Sequence, residues 1–449
     1  MKVRCVLLLL LIALFVYSGA SYAAPGRKSQ NVVAKRTFTL KQAVERALAT
    51  NPTIESKIRM LESAKMNIGV AQSYFWPRIS LVQSYNRMRN YEEVQTYSSD
   101  NLSSDNWTKG VRMQLSLFAG FAHLNNFQKS RLALQVEEAR HKQARLELIS
   151  NVQLQFLRLL LIRQQLKTAQ DSVARLETQL KSAESYVSVD MAPYINVLQT
   201  QTDLAKAHQE VIRCKNDLRG TQVQLNKYLS FPPEASVQYV GNLTEYGIQD
   251  AMSEEKAVRE AVRKRPDLII AQKSVEMAYK DMHVNMGQFL PRVDATYDSI
   301  SQSKSFRDKS YEGYTRNYWS AGINFTWDIF SGGQAVFQSL SDKKRAESLK
   351  KDFEEAMNAA QAEVISALLD IAAAKELIKA SKFALTSARE SYDMASTRYA
   401  TQTGTITELL DAQVRLTQAE LDASQALADY QSARARFYCY IGRENVDLK

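Results

Sequence analysis

QSYFWPRISL (72–81) and GQFLPRVDAT (287–296) decide how this chain is read. Both carry a Pro-Arg pair behind apolar residues, and Pro77 and Pro291 stand 214 residues apart in a chain of 449. Solenoid units repeat every 20–50 residues, so a spacing of nearly half the chain points to a duplicated half. Ala43-Val44 recurs as Ala257-Val258, and Asn51-Pro52 as Arg265-Pro266, at the same spacing of 214. Further on the spacing becomes 212: Phe118-Ala119-Gly120 recurs as Phe330-Ser331-Gly332, NVLQTQ (196–201) as ELLDAQ (408–413), and Lys227-Tyr228-Leu229 as Cys439-Tyr440-Ile441. The two missing residues fall in a loop between Pro77 and Gly120.

Punctuation then assigns the helices. No Gly or Pro occurs from Phe121 to Val189 or from Gln334 to Thr403, and both stretches are rich in helix formers. Each predicts one long helix of roughly 100 Å at about 1.5 Å per residue. Shorter helical segments accompany them at about 40–74 and 193–229, and again at about 253–288 and 405–441. Two short helices stacked end to end flank one long one in an elongated, coiled-coil-like layer.

The period changes after each Pro-Arg. In KGVRMQLSLF (109–118), Val111, Met113, Leu115 and Leu117 share one face. In WSAGINFTWDIF (319–330), Trp319, Ile323, Phe325 and Trp327 alternate with Ser320, Gly322, Asn324 and Thr326. Alternation with period two predicts strands, at 78–90, 107–118, 292–302 and 318–330. Their length suits a tilted membrane strand of about 9–11 residues, with the apolar face toward lipid. The polar linkers 91–105 and 303–316 suit the long outer loops of such barrels. Pro77 and Pro291 mark the helix-to-strand junctions, because proline lacks an N–H and disfavours helix before it. Gly120 and Gly332-Gly333 permit the return to helix.

Lys2 and Arg4, the apolar run Val6–Tyr17 and the small residues up to Ala23 read as a secretory signal over 1–23. The remaining organisation is a linker at 24–39, repeats at 40–229 and 253–442 joined by a linker at 230–252, and a tail at 443–449. Removal of the signal lowers the net charge from +10 to +8. Export and the lack of basic runs interleaved with aromatics exclude nucleic acid as a partner. His123, His141, His208 and His283 are scattered, and no phosphate loop or nucleophile motif is present. No metal, cofactor or enzymatic activity is expected. Cys439 aligns with Lys227, thirteen residues beyond Cys214. That offset is roughly 20 Å along parallel helices, so both thiols are expected to be free.

One chain supplies four strands, and an open sheet edge in lipid leaves backbone groups unpaired. Several copies must therefore share a barrel, two giving eight strands or three giving twelve. PRISL with PRVDA, IFSGG, and RYATQTGTITELLDAQVRLTQAEL (398–421) together resemble the TolC-type outer-membrane efflux proteins, over about Leu40 to Gly442. The fold class is then mainly α with a membrane β-barrel, in duplicated helix–strand–strand–helix halves. The resemblance implies a homotrimer with a twelve-stranded barrel in the outer membrane of a diderm bacterium and a large periplasmic helical part. It implies a passive exit duct for efflux or type I secretion, with a periplasmic adaptor (membrane fusion protein) and an inner-membrane transporter as partners. Tyr399 matches the family's gating tyrosine, and Glu408 and Asp411 its two ring acids, with Asp190 and Gln199 completing the entrance. Glu408 and Asp411 share a helix face by their i, i+3 spacing. Met191, Ala192, Pro193, Gln402 and Gly404 form the tip turns and the adaptor contact. Many family sequences have Gly where this chain has Asp190 and Gln402; Gly404 is the flexible residue here. The rival readings are a periplasmic coiled-coil protein without a channel and an outer-membrane enzyme on a helical stalk.

Overall fold

The computed structural model describes residues 37–89, 103–243, 252–303 and 316–448. The segment expected to be a secretory signal (1–23), most of the following linker and most of both inter-strand loops lie outside the described residues. In chain order the elements are β1 (Thr37–Phe38), α1 (Leu40–Thr50), α2 (Pro52–Ser73), β2 (Arg78–Arg89), β3 (Ser103–Ala119), α3 (Ala122–Ser188) and α4 (Ile195–Tyr228). They continue as β4 (Gln238–Tyr239), α5 (Glu254–Lys264), α6 (Pro266–Met286), β5 (Arg292–Ser303), β6 (Arg316–Thr326), α7 (Gln334–Ala400) and α8 (Ile406–Tyr440).

The helical segments expected at 40–74 and 253–288 are each broken once, before a proline. Asn51 and Arg265 are extended, at φ −72°, ψ 125° and φ −63°, ψ 124°. The pyrrolidine ring of Pro52 or Pro266 excludes the helical region for the residue before it and then serves as the first helical residue. The ends are capped by local chemistry. Thr39 and Gln42 form a reciprocal capping box ahead of α1. The Asn51 side chain accepts from the Thr53 N–H at 2.9 Å.

Both long helices have 67 residues. On the strand side α2, α3, α6 and α7 pack in that order. On the far side the order is α4, α3, α8, α7. The long helices are thus shared by two four-helix layers, and short helices meet them along their length. The largest apolar cluster lies where the layers join, with Phe156, Leu157, Leu159, Leu225 and Leu229 fully buried beside Val44 and Tyr239. None of the described helices is long and apolar enough to cross a membrane.

The sheet order is β2-β3-β5-β6, antiparallel throughout. Its register builds largely apolar rungs across all four strands, Ile79–Met113–Tyr297–Ala321 and Leu81–Val111–Ser299–Trp319, followed on the same face by the polar rung Gln83–Lys109–Ser301–Asn317. Leu115, Ala295 and Ile323 form the next rung. The opposite face is polar near the helices, where the Arg112 Nε donates to Asp298 Oδ1 at 2.6 Å, and carries Val82, Gly110, Ile300 and Tyr318 in its next rung. Two residues assigned to the apolar face sit differently. Leu117 is the extra residue of a bulge, and Phe118 takes the rung with Val293 and Phe325. Trp327 lies beyond the end of β6, where its indole N–H donates to the Phe289 carbonyl at 3.1 Å.

Positive backbone φ recurs at the repeat spacing. Gly120 and Gly332, Phe121 and Gly333, Asp190 and Gln402, and Ser230 and Gly442 all lie at φ between 55° and 81°, each pair 212 residues apart. The duplication therefore reaches down to single dihedrals, whichever residue type occupies them.

Candidate functional site

The two turns that end the long helices, and the helix starts after them, carry the residues assigned to an entrance. Each long helix ends in the same motif. Asp190 N–H donates to the Val187 carbonyl and Met191 N–H to Tyr186; Gln402 N–H donates to Tyr399 and Thr403 N–H to Arg398. This is the paired 5→2 and 6→1 pattern that puts the residue after the cap in the left-handed region. Asp190 and Gln402 hold it at φ 55° and 59°. A side chain there costs about 1–2 kcal/mol. Gly404 is a different kind of residue from the one expected. Its φ is not positive, and its N–H donates to the Arg398 carbonyl at 3.0 Å. The turn's reversal is made by Gln402.

The two tips touch through the Gln402 amide and the Met191 sulfur, 3.7 Å apart. Met191, Pro193 and their neighbours Tyr194 and Ile195 are exposed, while Ala192 is half-buried. α8 starts at an N-cap, with the Thr405 hydroxyl accepting from the Glu408 N–H at 3.2 Å. The Glu408 carboxylate stands 3.8 Å from Arg398, both about half exposed, so that pairing contributes little.

Tyr399 is not with the acids. It is buried on the other side of α8, edge-on to Tyr186 at 5.7 Å between centroids. Leu176, Ile406, Leu409 and Leu410 surround it. Its hydroxyl has no hydrogen-bond partner among the described residues. Burial, then the neighbouring Tyr186, pushes its pKa up, so it stays protonated. Asp411 and Gln199 do come together, lining one groove of about 400 Å³ between α4 and α8. Asp190 is exposed at the turn and joins neither group.

A polar layer behind the tip went unread in the sequence. Gln179 of α3 donates to Gln413 Oε1 of α8 at 2.6 Å, and Gln413 donates to the Ser172 carbonyl at 3.3 Å. Below it Arg175 reaches Glu420 at 3.2 Å. Gln413 belongs to ELLDAQ, but its repeat mate Gln201 is exposed. The repeat alone could not flag it. Among the described residues no cluster of three His, Cys, Asp or Glu side chains could hold a metal ion.

At the other end of α3 the chain turns from strand to helix through Gly120, φ 58°, against the backbone of Gly287. A Cβ on either glycine would run into the other's carbonyl. Gly287 was also missed, because its constraint is a contact 167 positions away. Pro77 and Pro291 directly precede β2 and β5, and Gly332 and Gly333 lie at φ 63° and 81° just before α7. Val111, Met113 and Ile323 are exposed on the apolar face of the sheet.

Residues 43–230 and 257–443 match a family model described as outer membrane efflux protein, one match per half. The alkaline protease secretion protein AprF of Pseudomonas aeruginosa is 22% identical over 411 residues, covering 90% of this chain and 84% of that protein. The outer membrane protein TolC of Salmonella enteritidis is 22% identical over 421 residues, covering 91% and 80%. Among solved structures, the CmeC outer membrane channel of Campylobacter jejuni superposes with a TM-score of 0.80 at 16% identity, covering 91% of this chain and 87% of that one. That likeness shows the fold. The periplasmic coiled-coil alternative finds no support in any of these matches.

Proposed function

The chain belongs to the outer membrane efflux protein family, and on that premise we propose that three copies form one passive exit duct across the outer membrane. The observation that carries this reading is the sheet. β2 and β6 are its outer members, and its apolar rungs run from one to the other. Facing hydrocarbon, unpaired strand edges would each leave several backbone groups without partners, at several kcal/mol per group. Pairing β2 of one copy with β6 of the next removes every edge. Ile79, Leu81, Val111, Met113, Leu115, Ile323 and Phe325 then face lipid, and Arg112 and Asp298 face the lumen.

The periplasmic end is the gate. The exposed tip residues Met191, Pro193 and Tyr194 meet an adaptor, which couples the duct to an inner-membrane pump. Tyr399 holds α7 and α8 closed, and its unpaired hydroxyl is satisfied by a neighbouring copy. Asp411 and Gln199 line the approach. Cargo is moved by the partners' energy, with no chemistry in this chain. One relative is named for alkaline protease secretion, which supports type I protein export beside small-molecule efflux.

Reconstitution in planar bilayers tests the duct. Discrete conductance steps are expected, small for the native protein and at least about twofold larger for Tyr399→Phe if a neighbour uses the hydroxyl. Protein that stays water-soluble and gives no steps refutes it.

A further inference from the structure

Away from the tip, α3 and α6 frame a groove of about 370 Å³ close to the strand–helix junction. It is lined by Gln128, Arg131 and Gln135 from α3 and by Tyr279, Lys280 and His283 from α6. Spacings of three and four place each set on one helix face. Arg131 and Lys280 have no counter-ion within the described chain, because the acids of α6 beside them are already engaged. Glu276, which also borders the groove, takes Lys273 at 2.9 Å, and Asp281 takes Lys129 at 2.5 Å. The groove thus presents two uncompensated cations among amide, phenol and imidazole groups able to donate hydrogen bonds.

Its place in the layer matters. α3 and α6 are the inner pair of the order α2, α3, α6, α7, so a ring of copies joined through the outer helices leaves the groove uncovered. Arg131 lies nine residues into α3, and His283 three residues before the end of α6. At about 1.5 Å per residue Arg131, Lys280 and His283 lie roughly 5 to 15 Å beyond the junction, and Gln135 about 20 Å. A headgroup layer extends roughly 5–8 Å past the hydrocarbon, and long cationic side chains reach further along the surface.

We propose that this groove is a binding site for phosphate-class anions, with the phosphodiester headgroup of an acidic phospholipid in the adjoining leaflet as its principal source. Arg131 offers a planar fork matched to two phosphate oxygens, and Lys280 supplies a point charge beside it. Basic pockets between helices at a membrane boundary bind acidic lipid headgroups on the same physics. The lipid source rests on the membrane placement proposed above; the anion site itself does not.

The test titrates detergent-solubilised full-length protein with short-chain phosphatidylglycerol and, separately, with inorganic phosphate, reading heat of binding. The account expects the lipid to bind, and Arg131→Gln with Lys280→Gln to weaken it at least about tenfold through loss of two charge-assisted contacts. Lys343→Gln with Lys344→Gln, which removes the same charge from the exposed face of α7, leaves binding unchanged. Binding of inorganic phosphate with the same dependence on Arg131 and Lys280, but no gain from lipid, assigns the site to a free anion. No binding of either, or equal binding by native and double variant, overturns the proposal. Arg131→Gln alone, on an exposed side chain, replaces the pair if the double variant misfolds. Chain stoichiometry measured on the same samples separates a failure of this site from a failure of the ring.

Discussion

Asp190 and Gln402 show what a residue can and cannot reveal. Their repeat spacing is legible in the sequence, and so is the departure from glycine. That both sit at positive φ follows only from the hydrogen bonds of the helix ends. Asp190→Gly and Gln402→Gly should each stabilise their turn by up to about 1 kcal/mol, read as slower hydrogen exchange at Met191 and Thr403. Arg265 gives a pH signature. It is buried and bonds both Asp267 and Glu363 at 2.7 Å. Burial pushes the Asp267 carboxyl up, but the Arg265 hydrogen bond and charge outweigh it, and the net pKa is lowered. A depressed carboxylate stabilises the fold above its unfolded value and loses that contribution as pH falls through the folded one. The melting temperature should therefore drop below about pH 4, and the drop should be smaller in Arg265→Met. Cys214 and Cys439 are free, as their repeat offset implies. Burial first, then Glu147, pushes the Cys439 thiol to about 11, so maleimide should label it slowly until the protein is unfolded.

At the scale of elements, the long helices were legible because nothing interrupts them. From Phe121 to Val189 and from Gln334 to Thr403 there is neither Gly nor Pro, and the structure makes 67 helical residues of each. The breaks at Asn51 and Arg265 fall at X-Pro pairs, yet each segment reads as one helix in the sequence. Helical composition on both sides masks them, and one extended residue suffices to make the break. The strands were legible from alternation, but their ends were not. A bulge at Leu117 and the early end of β6 before Trp327 depend on the partner strand and on Phe289. The junction at Gly120 is the element most exposed to mutation. Gly120→Ala would combine a left-handed alanine with a collision against Gly287, at about 2–4 kcal/mol. A lower melting temperature and a reduced yield of folded protein should follow, while Gly69→Ala, with open space around it, should be neutral or mildly stabilising.

At the scale of the whole molecule, the duplicated halves together build, among the described residues, one four-stranded sheet and two helical layers, with a separate two-stranded pairing of β1 and β4. The repeat told us that the halves match. It did not tell us which faces meet: the Gln179–Gln413 layer and the Gly120–Gly287 contact each join one half to the other. Both kinds of contact pair residues that do not correspond in the repeat, which is why they escape any comparison of one half with the other. A sheet of four strands with two outer edges and a largely apolar face over the rungs nearest the helices is the claim on which the duct depends. Native mass spectrometry of the detergent-solubilised protein measures how many chains share one particle. The account predicts three, completing twelve strands; particles of a single chain, or of two, would contradict it.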